Sequence, residues 1–105
     1  MSVYFIIDID IKNQEAYTEY QELVPALIKK YGGRYLVRGG EIHKGEGEWD
    51  LTRIVMLEFP SAESATAMLS SDEYAPIGAI RHKAAVSRSF MVEGVDESND
   101  VEGDI

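Results

Sequence analysis

The chain has 105 residues, ten Lys or Arg against nineteen Asp or Glu, a net charge of −9 and no cysteine. That length builds one domain with a modest core, and the missing thiols exclude disulfides and thiolate zinc sites. The acidic balance argues against nucleic acid and anionic membrane as partners, since both would repel it.

The N-terminus, Met-Ser-Val-Tyr-Phe-Ile-Ile-Asp, lacks the basic region and cleavage site of a signal peptide. No apolar run approaches the roughly 20 residues that span a bilayer, which makes the cytoplasm the default location. Val3 to Ile11 alternates, with Val3, Phe5, Ile7 and Ile9 on one side and Tyr4, Ile6 and Asp8 on the other, and predicts a strand. Asn13 is placed to cap a helix whose apolar positions are Ala16, Tyr20, Leu23, Leu27 and Tyr31. Pro25 falls inside that pattern and is expected to kink or divide the helix. Gly32 supplies the helix stop.

Arg34 to Arg38 is expected to form a strand, Arg34, Leu36 and Arg38 on one face and Tyr35 and Val37 on the other. Gly39-Gly40 ends it in a bend, beyond which Glu41 to Lys44 is a candidate continuation. A glycine-rich turn then carries Trp49, and Leu51 to Phe59 alternates as a third strand, Arg53, Val55, Leu57 and Phe59 sharing a face. Ser61 caps a short helix, and a second helical stretch runs from about Tyr74 to Ala85. Ser87 to Gly94 closes the series as a strand with Phe90 and Val92 inward and Ser89, Met91 and Glu93 outward. Residues 96–105 hold five acids and no base, and read as a solvated, disordered tail behind a domain of residues 1–95.

The order β-α-β-β-α-β predicts an α+β fold of ferredoxin-like type, an antiparallel sheet with helices on one face. The other face mixes apolar and charged residues, a composition suited to cover by a second copy of the chain.

Tyr31-Gly-Gly-Arg-Tyr-Leu-Val-Arg-Gly-Gly40, Arg53 leading into Leu57-Glu-Phe-Pro-Ser61, Ser71-Asp-Glu-Tyr74, Arg81 and Val92-Glu-Gly94 together resemble the domain of unknown function numbered 1330. The resemblance implies a dimeric α/β barrel, a homodimer in which two such sheets face each other, with a pocket between each sheet and its neighbouring elements. Relatives on that superfamily fold include antibiotic-biosynthesis monooxygenases, haem-degrading enzymes, muconolactone isomerases and ligand-sensing modules, and fold alone does not choose among them. Met68 and Leu69 stand where the family commonly has an aromatic pair.

Arg34, Arg38, Arg53 and Arg81 are the candidates for holding an anionic group, because guanidinium recognises a carboxylate through two parallel hydrogen bonds. The competing reading pairs each with a protein carboxylate, Glu58 and Glu93 foremost; Arg38 beside Gly39-Gly40 is the leading ligand candidate. Trp49 reads as a packing anchor or as a lid over a pocket. His82 is a weak acid–base candidate, and Tyr74 reads as a core or interface aromatic before a catalytic phenol. Neither His43 nor His82 has metal-ligand spacing, and no phosphate loop, nucleophile elbow or Rossmann fingerprint occurs, so neither metal nor cofactor is expected.

The expectation is a homodimer binding a small, anionic organic molecule in a sheet-face pocket. One form is a cofactor-independent enzyme of monooxygenase or isomerase type. The alternatives are a non-catalytic sensing or sequestering module and a purely structural dimer.

Overall fold

A computed structural model describes residues 1–95; the acidic segment 96–105 lies outside the described residues. The elements are β1 (Val3–Ile11), α1 (Gln14–Lys30), β2 (Arg34–Arg38), β3 (Ile54–Phe59), α2 (Ala62–Leu69), α3 (Tyr74–Ala84) and β4 (Ala85–Glu93). The four strands form one antiparallel sheet in the order β2-β3-β1-β4. Helices α1, α2 and α3 cover one face of it.

Local chemistry sets the helix ends. The Asn13 side chain accepts a hydrogen bond from the Ala16 amide, and Ser61 accepts one from Ser64, each satisfying an amide the helix leaves open. Lys29 and Lys30 sit in the last turn of α1, favourable to its negative end. Of the two outcomes expected at Pro25, division does not occur: α1 runs through it as one helix. The buried stripe of α1 is also rotated from the expected one. Tyr17, Val24, Leu27 and Ile28 are buried, while Leu23 is 44% exposed. Both stripes satisfy the helical spacing, and contact with the sheet selects one of them.

The core joins Val3, Ile7 and Ile9 of β1, Val55, Leu57 and Phe59 of β3, and Ala65, Met68, Tyr74 and Ala84 of α2 and α3. Phe59 is 1% exposed and packs where the chain leaves α1. A Cβ built on Gly33 would stand 2.7 Å from the Phe59 ring and 2.9 Å from Ile28, so only glycine admits that contact.

Two face assignments made from alternation are corrected by the register. β2 carries a bulge between Tyr35 and Val37: Tyr35 faces Leu57, Val37 faces Met56 and Arg38 faces Val55. Directly paired residues share a face. One extra residue therefore moves Val37 to the open side and Arg38 to the helix side, with Val55. In β4, Met91 pairs with Phe5 and Ser89 with Ile7, while Phe90 pairs with Ile6 and Val92 with Tyr4. Phe90 and Val92 thus lie on the open face, 59% and 49% exposed, and not under the helices. Small Ser87 and Ser89 lie on the helix side instead, where Ser87 accepts a hydrogen bond from Arg81. Glu41 to Lys44 does not extend the sheet.

Gly33→Ala is expected to lower stability by about 1–3 kcal/mol, the usual cost of overpacking a filled core. Gly40→Ala, whose added methyl meets nothing within 4 Å, should change it by less than about 0.5 kcal/mol. Urea titrations of the two variants provide the check.

Candidate functional site: an arginine-lined cavity under the helices

The bulge in β2 brings Arg38 onto the same side as Arg53, and α3 brings Arg81 in from above. All three border one internal cavity of about 40 Å³, walled by Ile7, Val55 and Leu57 of the sheet and by Tyr17, Tyr20 and Tyr74 of the helices. At about 10–15 Å³ for one water, this is room for roughly three water-sized groups.

The guanidinium groups are graded in depth. Arg81 is 8% exposed, Arg53 is half-buried, and Arg38 is exposed at the mouth. Arg81 donates to Ser87 Oγ at 2.6 Å and to Tyr74 OH at 3.3 Å. Its Nε is buried without a partner, as is the Nε of Arg53. Aromatic rings supply partial compensation: Arg38 Cζ lies 4.2 Å from the Tyr35 centroid, Arg81 5.9 Å from Tyr20 and Arg53 6.0 Å from Tyr17. Among the described residues no aspartate or glutamate lines the cavity, and none of the three arginines joins an ion pair.

Arg53 keeps its place because residue 39 is glycine. Gly39 has φ +75°, in the left-handed region, and a Cβ there would collide with the Arg53 guanidinium. The Gly39 amide donates to the Ile54 carbonyl at 2.8 Å, which holds this turn against β3.

The opposite face treats its charges differently. Arg34 donates to Glu58 at 2.6 Å, and Arg88 donates to Asp8 at 3.3 Å. The hydrogen bond from Arg34 first, and that from Tyr4 second, hold the Glu58 carboxyl below the usual carboxylate range. Arg34 and Glu58 therefore pair with each other away from the cavity, and Glu58 is not the partner of Arg38. Trp49 lies on the loop before β3, bordering an open-face groove of about 730 Å³ with Ile6, Ile54 and Phe90. Its indole donates to the Glu46 carbonyl. His82 is exposed on α3 and does not line the cavity.

The structure thus gathers Arg38, Arg53, Arg81 and Tyr74 from the sequence candidates and separates Arg34, Glu58, Trp49 and His82 from them. Sequence reasoning missed Tyr17 and Tyr35 as site residues, and treated Tyr20 only as part of the helix stripe. Their signal was faint: a tyrosine at a core position announces itself only once a cation stands over its ring.

The chemistry available is electrostatic. Burial chiefly, with Tyr74 next, pushes the Tyr20 phenol above its ordinary value. Burial also raises Tyr35, against an opposing pull from Arg38. Burial disfavours the charged form of Arg81, but the oxygens of Tyr74 and Tyr20 more than offset it, so its pKa is raised. The lining therefore stabilises negative charge and, among the described residues, contains no carboxylate or imidazole to take up a proton. Among the described residues, no cluster of three or more His, Asp or Glu could hold a metal, and no helix is long and apolar enough to cross a membrane.

An antiparallel sheet in this strand order, covered by helices on one face, is a ferredoxin-like α+β domain. The chain belongs to the family described as domain of unknown function (DUF1330), whose model matches residues 2–95. No curated protein matches it. Among solved structures it is similar to a protein of unknown function from Rhodopseudomonas palustris, at 17% identity and a TM-score of 0.71, over 90% of this chain and 83% of that one. SnoaB, a cofactor-independent oxygenase from Streptomyces nogalater, aligns at 9% identity and a TM-score of 0.66, over 94% of this chain and 98% of that one. A dimeric ferredoxin-like protein of unknown function from Jannaschia sp. aligns at 10% identity and a TM-score of 0.67, over 90% and 100%. At these identities the likeness is one of fold.

Among the described residues the Arg53 side chain has no hydrogen-bond acceptor, and it sits half-buried beside apolar walls, an arrangement that costs stability. Replacing a buried ion by an apolar side chain of similar volume is often neutral or stabilising. Arg53→Met is expected to leave the melting temperature unchanged or raise it by a few degrees, as scanning calorimetry would register; a fall of more than 5 °C would show that Arg53 is a structural tie.

Proposed function

We propose that this protein binds a small organic anion in the cavity between its helices and its sheet, with Arg81 and Arg53 holding the charged group and Arg38 closing over it at the mouth. One observation carries the reading. A chain of net charge −9 keeps three guanidinium groups around one internal space with no carboxylate of the described residues among them. Elsewhere on the sheet, arginines are given acidic partners. A cation buried without a counter-ion is costly, and a bound anion offsets that cost.

Cavity size limits the ligand. A carboxylate fits the inner space, while a ring or longer chain remains beside Tyr35 and Arg38. Binding without turnover is the form the lining favours, because an enzyme acting here would need a substrate that arrives already ionised. The fold shared with a cofactor-independent oxygenase supports an enzymatic form only at the level of fold.

A homodimer is the second part of the proposal. Val37, Met56, Ile6 and Phe90 stand in one row across all four strands of the open face, next to a groove bordered by Trp49. An apolar row of that extent on a sheet face calls for a covering layer, and two solved structures of this fold are described as dimeric.

Benzoate, tested by titration calorimetry against uncharged benzamide at constant ionic strength, is expected to bind while benzamide does not. Arg53→Met should weaken benzoate binding at least tenfold, about 1.4 kcal/mol, the scale of a hydrogen bond to a charged group. Affinity equal for both probes, or untouched in Arg53→Met, would refute the anion site. Burial raises the Tyr20 and Tyr35 phenols and, against its own burial, the tyrosine oxygens raise Arg81. No carboxylate or imidazole of the described residues lines the cavity, so benzoate affinity should be flat from about pH 6 to 9; a step within that range would show that a group outside the lining governs binding. Sedimentation equilibrium should give twice the chain mass of 11.7 kDa, and Phe90→Asp should yield monomer.

A further inference from the structure

The donors around the cavity outnumber what one carboxylate can accept. An arginine has five N–H donors. Arg81 spends two of them, on Ser87 and Tyr74, and Arg53 spends none on a protein acceptor among the described residues. Each also keeps an Nε–H buried with no partner. A carboxylate offers about four acceptor sites, and a monoanion neutralises only one of the two inner charges.

We infer that the ligand of this site is a compact dianion, a short dicarboxylate of about two to four carbons, one carboxylate meeting Arg81 in the inner space and the other meeting Arg53 nearer the mouth. This rests on the anion-binding reading above and deepens it. Size limits the ligand too: the space of about 40 Å³ that both guanidinium groups border admits one carboxylate and excludes an aromatic ring, so the second carboxylate of a short chain lies toward the mouth, on the half-buried Arg53 side. The third cation, Arg38, lies stacked on Tyr35 at the mouth, outside the innermost space, and compensates whatever charge the ligand leaves there. Gly39 fixes the pairing by leaving the Arg53 guanidinium room beside the β2–β3 turn.

The probes are malonate, acetate and benzoate, titrated calorimetrically into the full chain at constant ionic strength and pH 7.5. Malonate is expected to bind at least tenfold more tightly than acetate. Arg53→Met and Arg81→Met should each reduce malonate to the acetate level, with melting temperatures measured on both variants to confirm that they fold. If Arg81→Met unfolds, Arg53→Met alone carries the test. Equal affinities for malonate and acetate, with benzoate binding still dependent on Arg53, would overturn the dianion and leave the anion site standing. Tight malonate binding that survives Arg53→Met would place the dianion elsewhere and also overturn it. If no probe binds, both readings fall together.

Discussion

Much of this molecule follows from placing guanidinium charge inside a small domain with no acidic side chain of the described residues beside it. An ion moved from water to a protein interior costs several kcal/mol even after relaxation. A domain of this size has only about 5–15 kcal/mol of net stability. The tyrosine rings near Arg38, Arg53 and Arg81 return part of that cost, about 0.5–2 kcal/mol each where water is excluded. They do not satisfy the two buried Nε–H groups, which remain without a hydrogen-bond partner among the described residues.

The fold contributes three devices to this placement. The bulge in β2 turns Arg38 from the open face to the helix face within a strand that is otherwise regular. Gly39, held at a positive φ by its hydrogen bond to β3, leaves a slot that the Arg53 side chain fills. Ser87, a small residue on β4, lets Arg81 reach down from α3 and anchors one of its nitrogens. The same sheet solves the opposite problem on its other side, where Arg34 with Glu58 and Arg88 with Asp8 are paired at its edges around an apolar row. One sheet thus separates two kinds of business: compensated charge and apolar contact outward, uncompensated charge inward.

Much of this was legible in the sequence, and the failures have physical causes. Element order, both capped helix starts and the core face of β1 and β3 were readable, because strong alternation in Val3 to Ile11 and in Ile54 to Phe59 leaves one solution. The edge strands did not have that property. In β2 a single bulge reverses every later side chain, and alternation carries no mark of it. In β4, Phe90 and Val92 are the larger apolar residues and were assigned inward, but Ser87 and Ser89 take that side because the guanidinium of Arg81 needs a small polar neighbour there. Arg38, Arg53 and Arg81 were named as anion candidates, and the structure brings them around one cavity, while Arg38 was put on the wrong face. The tyrosines around them could not be separated from ordinary core aromatics, since one residue type serves both roles.

The central claim concerns two particular protons, the Nε–H of Arg53 and that of Arg81, and nuclear magnetic resonance can observe them directly. In a ¹⁵N–¹H spectrum recorded over the arginine Nε region, both should exchange slowly with solvent, because both are buried from it. On addition of malonate both should shift in proportion to site occupancy, while Arg34 and Arg88, already paired on the other face, stay in place. Fast exchange of the Arg53 and Arg81 signals, or shifts confined to Arg34 and Arg88, would contradict the account.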